Sequence, residues 1–415
     1  MKKLLTFVTA GLLLAAVIPA CTRDTITEHY TIYKPVYKSL AAVKADMHSQ
    51  APQNVREAGK IFMQGNFAYL VDVNRGVHVI NISDGKNPVK VAFIPIPGCA
   101  DIAIKNNYLY ADSYKDMVAI DISNPASASL VNTISGVFPE NYNGNYTNDA
   151  SKIIVDWIKS DTTIARKFND PKLQNYYSSG IYYSISSFSS SSSPAMAIGG
   201  STARFGLLNN RMYTVSSFNL KVFNTDNAAA PSYVKTINMQ QGSIETIFPY
   251  NSMLFIGSQN GMYVYNTTNP DNPIKLSQFV HARSCDPVIA DGGYAYVTLS
   301  GGSACGGYSN ELNVLDISNI NTPLLVKTYL LKGPRGLSKD GNLLLICDGT
   351  DGLKLFDATV ASNIPLIKQV AGFDARDVIA VNGKAIVTSA NGLFIIDYRD
   401  PANAQVTGSI PVAGQ

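Results

Sequence analysis

Charge is what this chain has least of. Lys, Arg, Asp and Glu together make up 15% of 415 residues, and 33 basic against 30 acidic side chains leave a net charge of only +3. No Lys/Arg stripe interleaved with aromatics is present, so nucleic acid is not an expected partner. Histidine is nearly as scarce, with four copies at His29, His48, His78 and His281. No two of them stand at metal-ligand spacing, and none lies beside an activated nucleophile, so no metal site is expected. Asp348-Gly-Thr-Asp-Gly352 carries the opening of a calcium loop without its later ligands and reads as a hairpin turn. Gly301-Gly-Ser-Ala-Cys-Gly-Gly307 precedes neither a helix nor a P-loop lysine, so it predicts no phosphate cradle, and no cofactor is expected. Long amphipathic helices are missing beyond the N-terminus, which excludes bundle and α/β architectures.

What is there is repetition. Tyr108-Leu-Tyr-Ala-Asp112, a short spacer, then Met117-Val-Ala-Ile-Asp121 and Ile-Ser-Asn-Pro125 form a unit that returns along the chain. The last residue of its second apolar run falls at Asn81, Asp121, Asn224, Asn266, Asp316, Asp357 and Asp397. Most steps are about 40 residues, the period of a four-stranded propeller blade. Gly65-Asn66, Asn260-Gly261, Gly292-Gly293, Asp340-Gly341, Asn382-Gly383 and Asn391-Gly392 supply tight turns between the runs. Prolines such as Pro273, Pro323 and Pro401 end the third strands. The pattern predicts an all-β fold, a β-propeller of four-stranded blades, with seven blades expected and six or eight as alternatives.

The pentads Met117–Asp121, Leu312-Asn-Val-Leu-Asp316, Leu353-Lys-Leu-Phe-Asp357 and Leu393-Phe-Ile-Ile-Asp397 resemble those of the LVIVD-repeat family of bacterial and archaeal surface proteins. The resemblance runs from about Ile61 to the C-terminus, with Asn in place of the closing Asp at Asn81, Asn224 and Asn266. It implies a β-propeller at the cell surface and carries over no catalytic residue.

Residues 1–20 read as a secretory signal. Lys2-Lys3 is followed by an apolar run from Leu4 to Val17, too short for a comfortable membrane span, and by Ile18-Pro-Ala-Cys21. Cys21 is the expected lipid attachment point of a bacterial lipoprotein; ordinary cleavage leaving a free Cys21 is the alternative. Residues 21–60 read as a tether, with a short capped helix over Ser39–Met47 or an edge strand over Tyr30–Tyr37. Residues 61–415 are the expected propeller. Residues 135–200 are an aromatic- and Ser-rich insertion in which Ile153–Ile158 looks like an added outer strand. Trp157, Tyr176, Tyr177, Tyr182 and Tyr183 either pack this insertion onto its blade or form a binding lip.

Propeller geometry sends the entrance of every first strand to the mouth of the central channel. Asp101, Glu245, Asp286, Arg335, Arg376 and Asp377 are therefore the candidate binding residues, or they pair with one another and with exposed amides. Of the cysteines, Cys347 lies in an apolar strand, and Cys99 and Cys285 begin different blades. Cys305 lies in the enlarged loop of the blade that Cys285 begins, so Cys285–Cys305 is the expected disulfide in an oxidising compartment.

These readings lead to a lipid-anchored β-propeller at the cell envelope, at the outer membrane, touching the bilayer through its anchor alone. It would act as a non-enzymatic binding or scaffold module for an envelope protein or a polysaccharide. The alternative is a glycan-active hydrolase or lyase using Asp101, Glu245, Asp286 and Asp377 at the channel mouth.

Overall fold

The computed structural model describes residues 25–139, 152–167, 204–239, 244–281, 287–301 and 309–413. Among these residues lie seven four-stranded antiparallel sheets and one two-stranded sheet. Each four-stranded sheet is built from four consecutive strands in the order of the chain, as a propeller blade is. Sheet 1 comprises Ala58–Gln64, Phe67–Asp72, Gly76–Asn81 and Val89–Pro95. Sheet 2 comprises Ile102–Lys105, Tyr108–Ser113, Asp116–Asp121 and Ser129–Ile134. Sheet 3 follows with Phe205–Leu208, Arg211–Val215, Asn219–Asn224 and Ser232–Asn238. Sheet 4 holds Ile244–Tyr250, Met253–Ser258, Gly261–Asn266 and Ile274–Val280. Sheet 5 holds Val288–Asp291, Tyr294–Leu299, Glu311–Asp316 and Leu324–Leu330. Sheet 6 spans Leu337–Asp340, Leu343–Cys347, Leu353–Asp357 and Leu366–Val370. Sheet 7 ends the chain with Ala375–Val381, Lys384–Ser389, Gly392–Asp397 and Gln405–Pro411.

First strands touch first strands around a ring, sheet 1 against sheet 2 and so on, and the first strand of sheet 7 returns to that of sheet 1. Second strands such as Phe67–Asp72 and Lys384–Ser389 are buried on both faces because a neighbouring sheet covers each side. That is why they read as continuous apolar runs, while outermost strands such as Ile274–Val280 and Leu324–Leu330 expose most of their residues. In every one of the seven sheets the third and fourth strands slip register at the same place, for example between Val79 and Ile80 or Val314 and Leu315. The extra residue is a β-bulge, which twists the outer edge and discourages edge-to-edge pairing.

The repeat's marker residues have a common task. Asn81, Asp121, Asn224, Asn266, Asp316, Asp357 and Asp397 each accept, through the side-chain oxygen, the backbone N–H two residues on, at 2.7–3.1 Å. Asn and Asp are equivalent for this Asx turn, since each offers one oxygen at the same reach. The three Asn copies therefore do the same work as the four Asp copies. Three residues later Asp84, Asn124, Asn227, Asn269, Asn319 and Asp400 repeat the device on the following turn.

The two-stranded sheet pairs β1 (Thr25–Ser39) with β2 (Lys152–Lys167), and the Thr31 hydroxyl donates to Asp161 at 2.7 Å. Ile153–Ile158, expected as an added outer strand, lies within the second strand of this sheet. A helix, α1 (Leu40–Asp46), follows β1 and is capped by Ser39, whose hydroxyl accepts the Ala42 N–H. Residues 47–57, expected within a tether, run as a strap over the propeller. Leu130 N–H donates to Met47 O, Gln50 and Phe93 exchange two backbone bonds, and Ala413 N–H donates to Val55 O. The strap so joins sheets 2, 1 and 7. The tether reading fails there because these amides find partners on outer strands, and Val43 and Met47 are buried with them.

Among the described residues no helix is long and apolar enough to cross a membrane.

Candidate functional site: the axial charge cluster

The residue before the first paired apolar position of each first strand faces the ring's interior at a constant spacing from the second strand. Lys60, Asp101, Arg204, Thr246, Pro287, Gly336 and Asp377 hold this place, ahead of Phe67, Tyr108, Arg211, Met253, Tyr294, Leu343 and Lys384. Glu245, Arg335 and Arg376 stand one residue earlier. The expected site residues therefore fall on two consecutive tiers, and Lys60 and Arg204 complete the upper count. Those two escaped the sequence reading because one sits at the edge of the supposed tether and the other directly after the Ser-rich insertion. The constant spacing to the second strand was the signal that could have found them.

The cluster is buried. Lys60 is 2% exposed, Asp101 1% and Asp377 2%. Lys60 Nζ lies 3.5 Å from Asp101 Oδ2, which also accepts the Arg204 N–H at 2.8 Å. Asp101 Oδ1 accepts the Ile102 N–H at 2.7 Å. Asp112 Oδ1 takes two amides, Ala100 and Asp101, at 2.8 Å each. Burial pulls the Lys60 ammonium down to about 8, against the attraction of Asp101, Asp112 and Asp377 and with the help of Arg204. Burial pushes Asp101 up to about 6, against Lys60 and with the help of Asp112. Asp112 is raised for the same first reason. Desolvation outweighs attraction at each of these groups, as expected for ions taken far from water.

On the other side of sheet 1, Asp377 Oδ1 accepts the Val378 N–H at 3.0 Å, and a Cβ at Gly336 would stand 2.1 Å from the same oxygen. Only glycine fits there. Arg335 pairs with Asp374 at 3.1 Å, and Arg376 Nη1 donates to Ala58 O at 3.3 Å across the junction of sheets 7 and 1. Glu245, half-buried, accepts from Gln259 Nε2 at 3.0 Å. Asp101 and Asp377, expected at an open channel mouth, instead lie beneath the surface, held by amides of their own and neighbouring strands. Asp286 lies outside the described residues.

Two more carboxylates tie loops to this face. Asp72 accepts the Arg56 and Glu57 amides and faces Arg75 and His78; Asp348 accepts the Lys332 and Gly333 amides and Lys354. The Asp348–Gly352 segment is a turn, and its carboxylates go to lysines and amides. Among the described residues no group of three or more His, Cys, Asp or Glu side chains could hold a metal ion.

Cys99 and Cys347 are free and buried, and burial pushes both thiols well up. Cys21, Cys285, Cys305, Tyr176, Tyr177, Tyr182 and Tyr183 lie outside the described residues. Trp157 is 41% exposed on β2. The beginning of that strand is fixed: Ile153 and Ile154 are buried, and the Tyr114 hydroxyl donates to Ile154 O.

Ring-wise stacking of four-stranded sheets about a shared axis makes this protein a β-propeller. The LVIVD repeat family matches residues 55–92, 98–135 and 282–330, so the chain carries LVIVD repeats at three places. The first match includes Asn81, where the pentad departs from Asp. Among solved structures, a Lactobacillus plantarum protein is 12% identical, with a TM-score of 0.54 over 86% of this chain and 96% of its own. The computationally designed Ika8 protein is 9% identical, with a TM-score of 0.53 over 88% and 91%. The periplasmic gluconolactonase PpgL of Pseudomonas aeruginosa is 11% identical, with a TM-score of 0.51 over 88% and 96%. These likenesses show the fold alone. No curated protein matches the chain. The repeats and the fold fit a surface or secreted β-propeller.

Proposed function

We propose that this chain is an exported, lipid-anchored β-propeller that serves as a non-enzymatic binding or scaffold module at the cell envelope, at the outer membrane, for a protein or a polysaccharide. The observation that carries the reading is the condition of the axial carboxylates. A glycosidase needs two carboxyl groups about 5–9.5 Å apart and open to the sugar. Asp101 and Asp377 are buried, and their oxygens already accept backbone amides. Carboxyl groups used this way hold strands, not substrate. The apolar run before Cys21 supports export, and the cysteine supports acylation, at about 0.8 kcal/mol per buried CH₂.

Cell fractionation tests the anchor: Cys21→Ser should leave the membrane fraction or remain unprocessed, and a variant of normal size that stays with membranes contradicts it. Affinity capture on the intact propeller tests the binding role, with a stoichiometric partner as the expected result. Release of reducing ends from a polysaccharide panel, lost in Glu245→Gln, would replace it with the glycan-active alternative.

A further inference from the structure

The outer strands differ in what covers them. Along sheets 1 and 2 the chain lays its own strap: Gln50 N–H to Phe93 O at 2.8 Å, Phe93 N–H to Gln50 O at 3.1 Å, Leu130 N–H to Met47 O at 3.0 Å, and Ser49 N–H to Ala128 O at 2.9 Å. Val55 then bridges Val412, the residue after the last strand of sheet 7. The outer strands of sheets 3 to 6 receive no such bridge among the described residues. These four strands contain Lys235, Lys275, Lys327 and Lys368 and no Asp or Glu. Sheet 5 is the most apolar of them at its edge, with Leu324 65% and Leu330 84% exposed and Leu325 between.

We propose that the outer strand of sheet 5, Leu324–Leu330, is a docking edge for an extended, acidic segment of a partner protein, added as the strap is added to sheets 1 and 2. The inference rests on the binding reading above and names its site and partner class. Edge addition gives main-chain bonds, and alternate side chains give selectivity. Thr328 occupies the place that Phe93 holds in sheet 1, each one residue beyond the pair that follows the bulge. The Lys327 side chain is exposed and makes no hydrogen bond or ion pair among the described residues, so its charge is available to a carboxylate. Edge lysines and bulges also guard strands against pairing. Sheet 1, however, has the same bulge and an edge lysine, Lys90, and still accepts Gln50. The bulge and the lysine therefore do not by themselves close an edge: Lys90 meets the strap there, donating to Asn54 Oδ1 at 3.0 Å. Exposed leucines on both sides of Lys327 favour a peptide with apolar side chains over an acidic glycan, which has nothing to place against them.

The test is hydrogen exchange on the Cys21→Ser chain with three probes: a peptide of alternating valine and glutamate, its valine-lysine counterpart, and polygalacturonate. The acidic peptide should slow the amides of Leu324–Leu330 by about tenfold or more, since added bonds close the local opening route. The basic peptide and the polysaccharide should not. Lys327→Glu should transfer the protection to the basic peptide, and Leu330→Ser, at a solvent-exposed site, should weaken both. Equal protection by both peptides, protection by polygalacturonate, or none at this strand overturns the proposal. If a stoichiometric partner is captured while this strand stays unprotected by that partner and by the peptide, the docking edge falls and the binding reading stands.

Discussion

Lys60 Nζ and Asp101 Oδ2 lie 3.5 Å apart across the junction of the first two sheets, each almost wholly out of water. The pair is expensive: burial lowers one group and raises the other more than their attraction compensates. Removing one partner leaves the other's charge buried and uncompensated. Lys60→Met should therefore cost about 3–5 kcal/mol, and adding Asp101→Asn should return more than half of it. Chemical denaturation of the two variants checks this, and a double variant no more stable than the single one refutes the coupling.

The same pair sets a pH dependence. Asp101 is raised from 3.8 to about 6, so its contribution is fully present below pH 3.8 and is lost as pH rises through 6. Lys60 is lowered from 10.5 to about 8, so its contribution is present above pH 10.5 and is lost as pH falls through 8. Stability of the native chain minus that of Lys60→Met/Asp101→Asn should be lowest between about pH 6 and 8 and rise on both sides. A flat difference curve would show that the pair is not desolvated.

Asx turns make Asp and Asn interchangeable at the marker positions, but not Ala. Asp121→Asn should leave stability nearly unchanged, because Asn81, Asn224 and Asn266 already do this work. Asp121→Ala removes the acceptor of the Ser123 N–H and hydroxyl and should cost about 1 kcal/mol. Thermal melts of the two variants distinguish a turn-forming role from a charge role, in which Asn and Ala would behave alike.

The strap makes a prediction about ring closure. Every sheet is made of consecutive strands, so no strand is exchanged between the first and last sheets. The ring is held there by the Val55–Val412 bridge, Arg376 to Ala58 O, Lys384 to Ile82 O and Thr407 to Gly85 O. Ser49 fastens the strap's other end, donating to Pro125 O at 2.9 Å and accepting the Ala128 N–H at 3.0 Å. Ser49→Ala should cost about 1–3 kcal/mol by leaving both groups without a partner. Hydrogen exchange should show the loss in residues 47–57 first; uniform loss over the whole ring would mean the strap is not a separate fastening.

The repeat period, the strand order and the turn positions were legible in the sequence because each sheet is made of consecutive strands, carries its own apolar runs and ends them with its own turn residues. The axial tier was half legible. Asp101, Glu245, Arg335, Arg376 and Asp377 follow recognisable copies, whereas Lys60 and Arg204 border segments whose composition hides the repeat. The depth of the cluster was not legible, because burial there depends on how seven first strands converge and not on any one of them. The strap was misread as a tether for a related reason: residues 47–57 are polar, and their bonds are to main chain of distant strands. The bulge common to all outer strands leaves no mark beyond an extra residue such as Val91 or Val326.

One variant tests the central claim, that the axial carboxylates hold the ring and do no chemistry. Asp377→Asn should lower the melting temperature, while a polysaccharide panel shows no turnover by either the native or the variant chain. Turnover by the native chain that disappears in Asp377→Asn at an unchanged melting temperature would contradict the account.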